Sequence, residues 1–164
     1  MTSELHRPVL IDRIGPGGLD VVVEAGEAER IALARRMDLP AVLALSCAFH
    51  LERDAAQRLI GRGHLRAEVM QTCVVSLEDF PAAVEERFTV VFVPAGEESE
   101  NDDPEAPDEI GYEDGVLDVG EATAEQLALA LDPYPRAPNA VLPEVEESAE
   151  EHQFAALAAW KRRQ

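Results

Sequence analysis

Several kinds of residue are scarce in this sequence, and each shortage excludes a class of protein. The chain has two cysteines and one lysine among 164 residues, and aromatic residues make up 5% of it. Two cysteines do not make a disulfide framework, so we expect two free thiols in a reducing compartment. No run approaches the roughly 20 apolar residues of a membrane span, and the start MTSELHRPVL has neither a basic leader nor an apolar signal core. These shortages predict a cytoplasmic protein with no membrane partner.

Positive charge is absent from one long stretch of the chain. Residues 88–135 contain no Lys, Arg or His but 14 of the 33 acidic residues, and the formal net charge of the whole chain is −19. A surface this acidic repels phosphates, which argues against a broad basic face for naked nucleic acid. The charge favours a basic protein partner. Acid-rich tracts with few aromatic residues are also typical of solvated loops, and the sequence leaves that alternative open.

Local patterns predict the α+β class with a mainly antiparallel sheet. The apolar runs at 7–14 and 19–25 flank the turn sequence IGPGG and predict an opening hairpin. Acidic residues at the start and arginines at the end of 27–37 predict an N-terminal helix. Alternating segments over 41–93 predict an antiparallel meander.

Strand alternation also predicts which side chains face the core. Apolar residues recur at every second position in two segments, with Gln71 as the one interruption. Both cysteines fall on the predicted inward faces. The inward residues are predicted to be Ala41, Leu43, Leu45, Cys47, Phe49 and Leu51 in the first segment, and Leu65, Ala67, Val69, Cys73, Val75 and Leu77 in the second.

The rest of the chain predicts one short helix, an extended exit and a tail. Asp118 followed by Glu121 has the spacing of a capping box before a helix near 120–131. Three spaced prolines then force an extended exit. We therefore expect one domain over 1–140 that includes a flexible acidic loop at 95–114. The remainder, 141–164, is predicted to be an acidic linker with a short amphipathic C-terminal helix.

Cys73 in the stretch QTCVVSLEDF allows three interpretations. It can be a nucleophile in a Cys/His hydrolase with His50 or His64, a metal ligand, or a buried packing residue. The inward face favours packing, and burial is expected to raise the pKa of a thiol. His50 falls on the opposite face of its strand and His64 at a glycine-flanked strand start, so the catalytic interpretation is disfavoured. We expect a non-enzymatic protein without cofactors.

The order of these segments resembles the YceD family, the bacterial large ribosomal RNA subunit accumulation proteins. The similarity covers roughly residues 7–160 and is carried by AERIALARR, CVVSLEDF, LDVGE, LALALDPYP and FAALAAW. It implies a cytoplasmic, non-enzymatic factor in the synthesis, processing or stability of large-subunit ribosomal RNA. The matching residues to which it gives a structural role are Cys73, Leu77, Asp118, Glu121, Pro133 and Pro135.

The resemblance also implies a cysteine arrangement that this chain lacks. Many members carry Cys-x-x-Cys at this turn and more cysteines after the proline-rich exit, a spacing that suits zinc. Here Cys73 matches the first cysteine, Ser76 stands at the second position, and the exit YPRAPNAV has none. The sequence therefore predicts no metal site.

Two binding functions remain, and each has candidate residues. One is a ribosome-biogenesis factor that binds a pre-ribosomal particle or large-subunit rRNA. The other is an acidic holding protein for a basic ribosomal protein. The candidate RNA or phosphate contacts are Arg58, Arg62, His64 and Arg66, and the candidate partner contacts are Glu97, Glu98, Glu100, Asp102 and Asp103 in the acidic loop and Phe154, Leu157 and Trp160 in the C-terminal helix.

Overall fold

A computed structural model describes residues 3–99 and 106–141 and confirms the α+β class. The tail and the predicted C-terminal helix lie outside these residues, as do the acidic-loop residues 100–105. The described elements, in chain order, are β1 (Pro8–Leu10), a 3-10 turn (Ile11–Arg13), β2 (Leu19–Glu24), α1 (Glu27–Arg36), β3 (Ala41–Arg53), β4 (Leu59–Thr72), β5 (Asp79–Pro94), β6 (Asp108–Tyr112), β7 (Val116–Asp118) and α2 (Val119–Ala130).

The main sheet has five strands in the order β2-β3-β4-β5-β6. Strands β2 to β5 are antiparallel, which confirms the predicted meander. Strand β6 pairs in parallel with β5, so the sheet is mixed. The predicted acidic loop 95–114 is therefore partly wrong, because half-buried Ile110 and Tyr112 pack against the core and bring the segment to the sheet edge.

The predicted opening hairpin is wrong. Strand β1 pairs antiparallel with β7 in a separate two-stranded sheet, and β2 pairs with β3. Residues 11–13, within the first predicted strand, form a 3-10 turn, so the chain leaves the strand conformation before the IGPGG turn. Local turn signals cannot show that the partner of β1 is more than 100 residues away.

The core lies on one face of the main sheet, where α1 and α2 pack against it. Leu33 of α1 and Leu127 of α2 are fully buried together with Phe49, Leu65 and Val69 of the sheet. At roughly 1.5–3 kcal/mol for each large apolar side chain, this cluster is the main source of stability. No described element covers most of the opposite face, which we call the outer face.

Two predicted face assignments are wrong for identifiable reasons. A β-bulge between Val42 and Ala44 shifts the register, so Leu43 is 46% exposed while Val42 is buried. Strand β4 ends at Thr72, so the residues after Cys73 form a turn, and Leu77 in that turn is 77% exposed. Strand periodicity does not apply beyond the end of the strand. The predicted burial of Cys47 and Cys73 is confirmed.

Candidate functional site

The outer face gathers cationic side chains from three strands. Arg62, His64 and Arg66 alternate along β4 and point to this face, because the residues between them are buried on the core side. In the strand register, His50 of β3 lies opposite Arg62, and Arg87 of β5 lies opposite His64. Neighbouring antiparallel strands place opposite side chains within about 5.5 Å at Cβ. The five side chains therefore form one patch, which we call the β4 patch.

Two glycines allow the sheet beneath the β4 patch to pack closely. A Cβ atom on Gly63 would lie 2.1 Å from the ring of Phe88, and one on Gly61 would lie 2.8 Å from the ring of Phe92. The Phe88 ring also makes an edge contact with Phe49, with ring centroids 5.5 Å apart. Glycine in these strands marks a close approach, and no phosphate-binding loop is formed here.

Carboxylates on the same face neutralise most of the patch. Arg62 is paired with Glu52, and His50 Nδ1 lies 2.7 Å from an oxygen of Asp20. Glu85 accepts from His64 Nε2 at 2.7 Å and from Arg66 Nε at 3.2 Å. The contact with His64, followed by that with Arg66, lowers the pKa of Glu85. A phosphate that binds here must compete with these carboxylates.

Arg58 and Arg87 differ from the prediction in opposite ways. Arg58 is held by Asp54, with Nε 2.7 Å from Oδ2, in the turn before β4, so it lies outside the patch. Arg87 was not predicted, yet it is exposed, and no described carboxylate lies within ion-pair distance of its guanidinium. Its membership of the patch depends on the β4–β5 register, which the meander prediction did not specify residue by residue.

The Cys73 turn fastens two distant parts of the chain together. The sulfur accepts N–H groups from Val75 and Ser76 at 3.4 Å each and from Ala137 at 3.3 Å. Beside it, Val74 N donates to Pro135 O at 2.9 Å. The proline-rich exit is thereby attached to the end of β4, which gives Pro135 of the family motif a structural contact.

The chemistry of Cys73 differs from the expectation. The pKa of its thiol is lowered to about 7, first by the side chain of Ser76 and then by the N–H groups of Ser76 and Ala137. The predicted rise is therefore wrong, because the Ser76 side chain and the backbone donors together outweigh desolvation. Burial does raise the pKa of Cys47, to about 12.

The residues around Cys73 do not fit a structural zinc site. The sulfur has backbone N–H groups as partners, and neither Ser76 nor the exit segment 133–139 provides a second thiol or imidazole. Within residues 3–99 and 106–141, no group of three His, Cys, Asp or Glu side chains could hold a metal ion.

A Cys/His pair does not form either. His64 precedes Cys73 by nine positions along the extended β4 segment, a separation of roughly 30 Å at 3.3 Å per residue. His50 lies beside Arg62, farther along the same direction. A nucleophile needs its base within about 3 Å. Neither of these two described histidines makes this contact, so neither forms a catalytic dyad with Cys73.

The motif LDVGE clasps the N-terminal segment. Asp118 Oδ1 accepts N–H groups from Arg7 at 2.9 Å and from Gly120 at 3.0 Å, and so caps α2. Only this half of the predicted capping box forms, because the Glu121 side chain is bound elsewhere. Glu121 accepts from Arg36 at 2.6 Å. A Cβ atom on Gly120 would lie 2.2 Å from Leu5 O, so only glycine allows this approach. Asp118 and Glu121 therefore have structural contacts.

The predicted partner contacts are described only in part. Glu97 is exposed, and Glu98 Oε2 accepts from Gly96 N at 2.7 Å. Pro133, of the family motif, is exposed in the exit segment. The other predicted contacts, Glu100, Asp102, Asp103, Phe154, Leu157 and Trp160, lie outside the described residues. No described helix is long and apolar enough to cross a membrane.

Comparison with known proteins gives one match. The family model described as "Large ribosomal RNA subunit accumulation protein YceD" matches residues 61–160, which include β4 from Gly61 onward, the Cys73 turn and the LDVGE clasp. No curated protein and no solved structure is similar enough to count as a match. Because the matched region is 100 of 164 residues, the chain belongs to the YceD family.

Proposed function

We propose that this protein promotes the accumulation of large-subunit ribosomal RNA by binding, without catalysis, and that the β4 patch contacts RNA in a pre-ribosomal particle. The observation that carries the proposal is the convergence of Arg62, His64, Arg66 and Arg87 on an outer face that no described element covers. The family description supplies the biological context and names no catalytic activity.

The contact would be small and local. Arg87 has no described carboxylate beside it and is the first candidate to reach a phosphate, whereas Arg62 and Arg66 must leave Glu52 and Glu85. Each phosphate neutralised contributes about 0.7–0.9 to the slope of log affinity against log salt. Three arginines therefore correspond to a slope of about 2–3, well below that of a broad basic face.

The test replaces Arg62, Arg66 and Arg87 with Gln and measures binding to a large-subunit rRNA precursor between 50 and 300 mM salt. We expect weaker binding at low salt and a salt slope smaller by about 2. The matched control replaces Arg13, Arg35 and Arg53, which are exposed elsewhere on the molecule, and so makes the same change in net charge.

Equal losses in both triple variants would contradict the proposal, because the effect would then come from net charge alone. Unchanged affinity and slope in the patch variant would also contradict it. Circular dichroism and thermal melting of each variant establish that the fold is retained.

A second candidate function is the holding of a basic ribosomal protein, and the charge distribution favours it. Residues 88–135 carry 14 acids and no base, so this part of the chain attracts cationic partners and steers their approach. Crosslinking in cells separates the two functions. Direct contacts to precursor rRNA support the first, and a free, RNA-independent complex with one basic protein supports the second.

A further inference from the structure

Within the described part of the chain, no strand pairs with one side of β6. It is the last strand of the main sheet, and among the described residues its strand partner is β5 alone. Tyr112 O accepts from Ala95 N at 2.9 Å, so Tyr112 faces β5. Backbone direction alternates along a strand, so Glu109 and Gly111 direct their N–H and C=O groups away from the sheet. This free edge is a template for one more strand.

A groove runs beside this edge, between β6 and α2, and we call it the β6–α2 groove. It encloses about 410 Å³ and is lined by Ile110 and Leu129 together with Asp108, Glu109, Glu125 and Arg36. Leu129 is 70% exposed although it belongs to the helix that packs on the core. An apolar side chain left open beside an unpaired strand edge is suited to contact with a bound segment.

Three carboxylates and one cation, Arg36, line the groove, so its charge is negative. No described cation lies within ion-pair distance of Glu125, and the nearby Arg36 is bound to Glu4 at 2.9 Å and to Glu121 at 2.6 Å. Burial, followed by repulsion from Glu121, raises the pKa of Glu125. A cation placed beside Glu125 would offset both the desolvation of its carboxylate and the repulsion from Glu121.

We propose that the β6–α2 groove is a docking surface for an extended protein segment that carries lysine or arginine and adds to the sheet beside β6. The free edge supplies the backbone hydrogen bonds, and Leu129 with Ile110 supplies an apolar contact. Asp108 and Glu125 supply charge complementarity. The occupant is basic because three carboxylates line the groove, whereas the cation that lines it, Arg36, is already paired with Glu4 and Glu121.

Acidic side chains on an edge strand can also act only to prevent aggregation. That role needs charge alone and gives no reason for an exposed leucine beside the edge. The two roles also differ in one measurable property. A docking surface binds a matching strand at a defined register. Acidic side chains that only prevent aggregation repel strands, or attract cations, without regard to the backbone.

The inference gives a location to the second candidate function and rests on it for the class of partner. The test uses the full chain without RNA, so its failure leaves the proposed role of the β4 patch untouched. If crosslinking in cells finds no basic ribosomal protein but the binding test on the full chain succeeds, the groove binds a basic segment of another protein class.

The probe is a blocked heptapeptide of alternating lysine and leucine, titrated into isotope-labelled protein at 50 mM salt and followed by amide chemical shifts. We expect saturable shifts at Glu109, Gly111 and Leu129. The matched peptide with glutamate in place of lysine should give no shifts. A third peptide with the same composition but a lysine-leucine order of helical period should bind at least tenfold more weakly.

Two variants test the two parts of the surface. Glu109→Pro removes an outward N–H at an edge position where proline is tolerated, and Leu129→Asn removes the apolar contact from an exposed site. Each should weaken peptide binding about tenfold, whereas Leu10→Asn, at a 51% exposed site on β1, should not. If the Glu109→Pro variant does not fold, the peptide affinity of the Leu129→Asn variant tests the proposal. Affinity unchanged in Leu129→Asn, or shifts spread over the acidic residues without Gly111, would overturn the proposal.

Discussion

The sulfur of Cys73 joins residues that are far apart in the sequence. Its bond from Ala137 N spans 64 positions, and its bonds from Val75 and Ser76 close the turn after β4. A thiolate accepts N–H groups more strongly than a thiol does, so the strength of this junction depends on protonation. The lowered pKa of about 7 places that change close to neutral pH.

We therefore predict that Cys73 makes the stability of this protein depend on pH between about 7 and 9. The folded pKa, about 7, lies below the ordinary value of 9.0, so the stabilisation is complete above the ordinary value and is lost as pH falls through the folded pKa. The melting-temperature difference between wild type and Cys73→Ala should grow as pH rises from 6 to 9.

Cys47→Ala is the control for this measurement. Cys47 is also buried, but its pKa is raised to about 12, so its thiol stays protonated over the same range. Its replacement should lower the melting temperature by a constant amount from pH 6 to about 8, below the ordinary value of 9.0 at which the unfolded thiol ionises. A pH-independent difference for Cys73→Ala as well would contradict the thiolate junction.

At the scale of elements, Asp118 connects β1, β7 and α2. It is the last residue of β7 and the N-cap of α2. Its side chain also accepts a hydrogen bond from the N–H of Arg7, just before β1. An N-cap stabilises a helix by roughly 1 kcal/mol, and the bond to Arg7 is a further charge-assisted contact. This one side chain therefore holds the small sheet to the helix that covers the core.

We predict that Asp118→Ala lowers the free energy of unfolding by about 2–3 kcal/mol, the sum of a cap and a second charge-assisted bond. Asp118→Asn keeps an oxygen acceptor and should lose less than half of that. Burial raises the pKa of Asp118, but N–H donors and His6 lower it by more, so the pKa lies below its ordinary value of 3.8. The carboxylate's contribution is present above the ordinary value and is lost as pH falls through the lowered pKa.

Urea unfolding at pH 7 and at pH 3 tests both the predicted loss of unfolding free energy and its dependence on pH. The alanine and wild-type curves should approach each other at the lower pH. A loss below 0.5 kcal/mol for Asp118→Ala at pH 7 would contradict the clasp, since that is the scale of an ordinary surface substitution.

At the scale of the molecule, the charge distribution sets the response to salt. A net charge of −19, of which −14 lies in residues 88–135, produces self-repulsion that opposes compact folding. The screening length falls from roughly 20 Å at 0.02 M to about 4 Å at 0.5 M salt. Salt should therefore stabilise this protein.

We predict that the melting temperature rises as sodium chloride increases from 0.02 to 0.5 M. The rise should be smaller when Glu97, Glu98, Glu100, Asp102 and Asp103 are replaced with Ser and Asn. Association with a basic partner should slow in that variant at low salt and equal wild type near 0.5 M, because screening removes steering. Equal association rates at low salt would show that these carboxylates do not take part in binding.

Some features follow from the sequence by itself because their causes are local. Alternation over 41–93 specified the meander, and the spacing of Asp118 and Glu121 specified the cap of α2, since both patterns act between near neighbours. The absence of Lys, Arg and His from residues 88–135 is likewise a property of composition. The inward position of Cys47, within β3, follows from period-2 alternation.

Other features depend on tertiary contacts that no local pattern encodes. The pairing of β1 with β7, the bulge that exposes Leu43 and the parallel position of β6 each result from packing between distant segments. The side chain and N–H of Ser76 lower the pKa of Cys73 from within the turn, but the further contribution of Ala137 N exists only because the fold brings it to the sulfur. Arg87 joined the β4 patch because of strand register. Composition and short-range pattern determined the class and the charge of this protein, whereas the partners of each side chain were decided when the chain folded, because those partners lie far away in sequence.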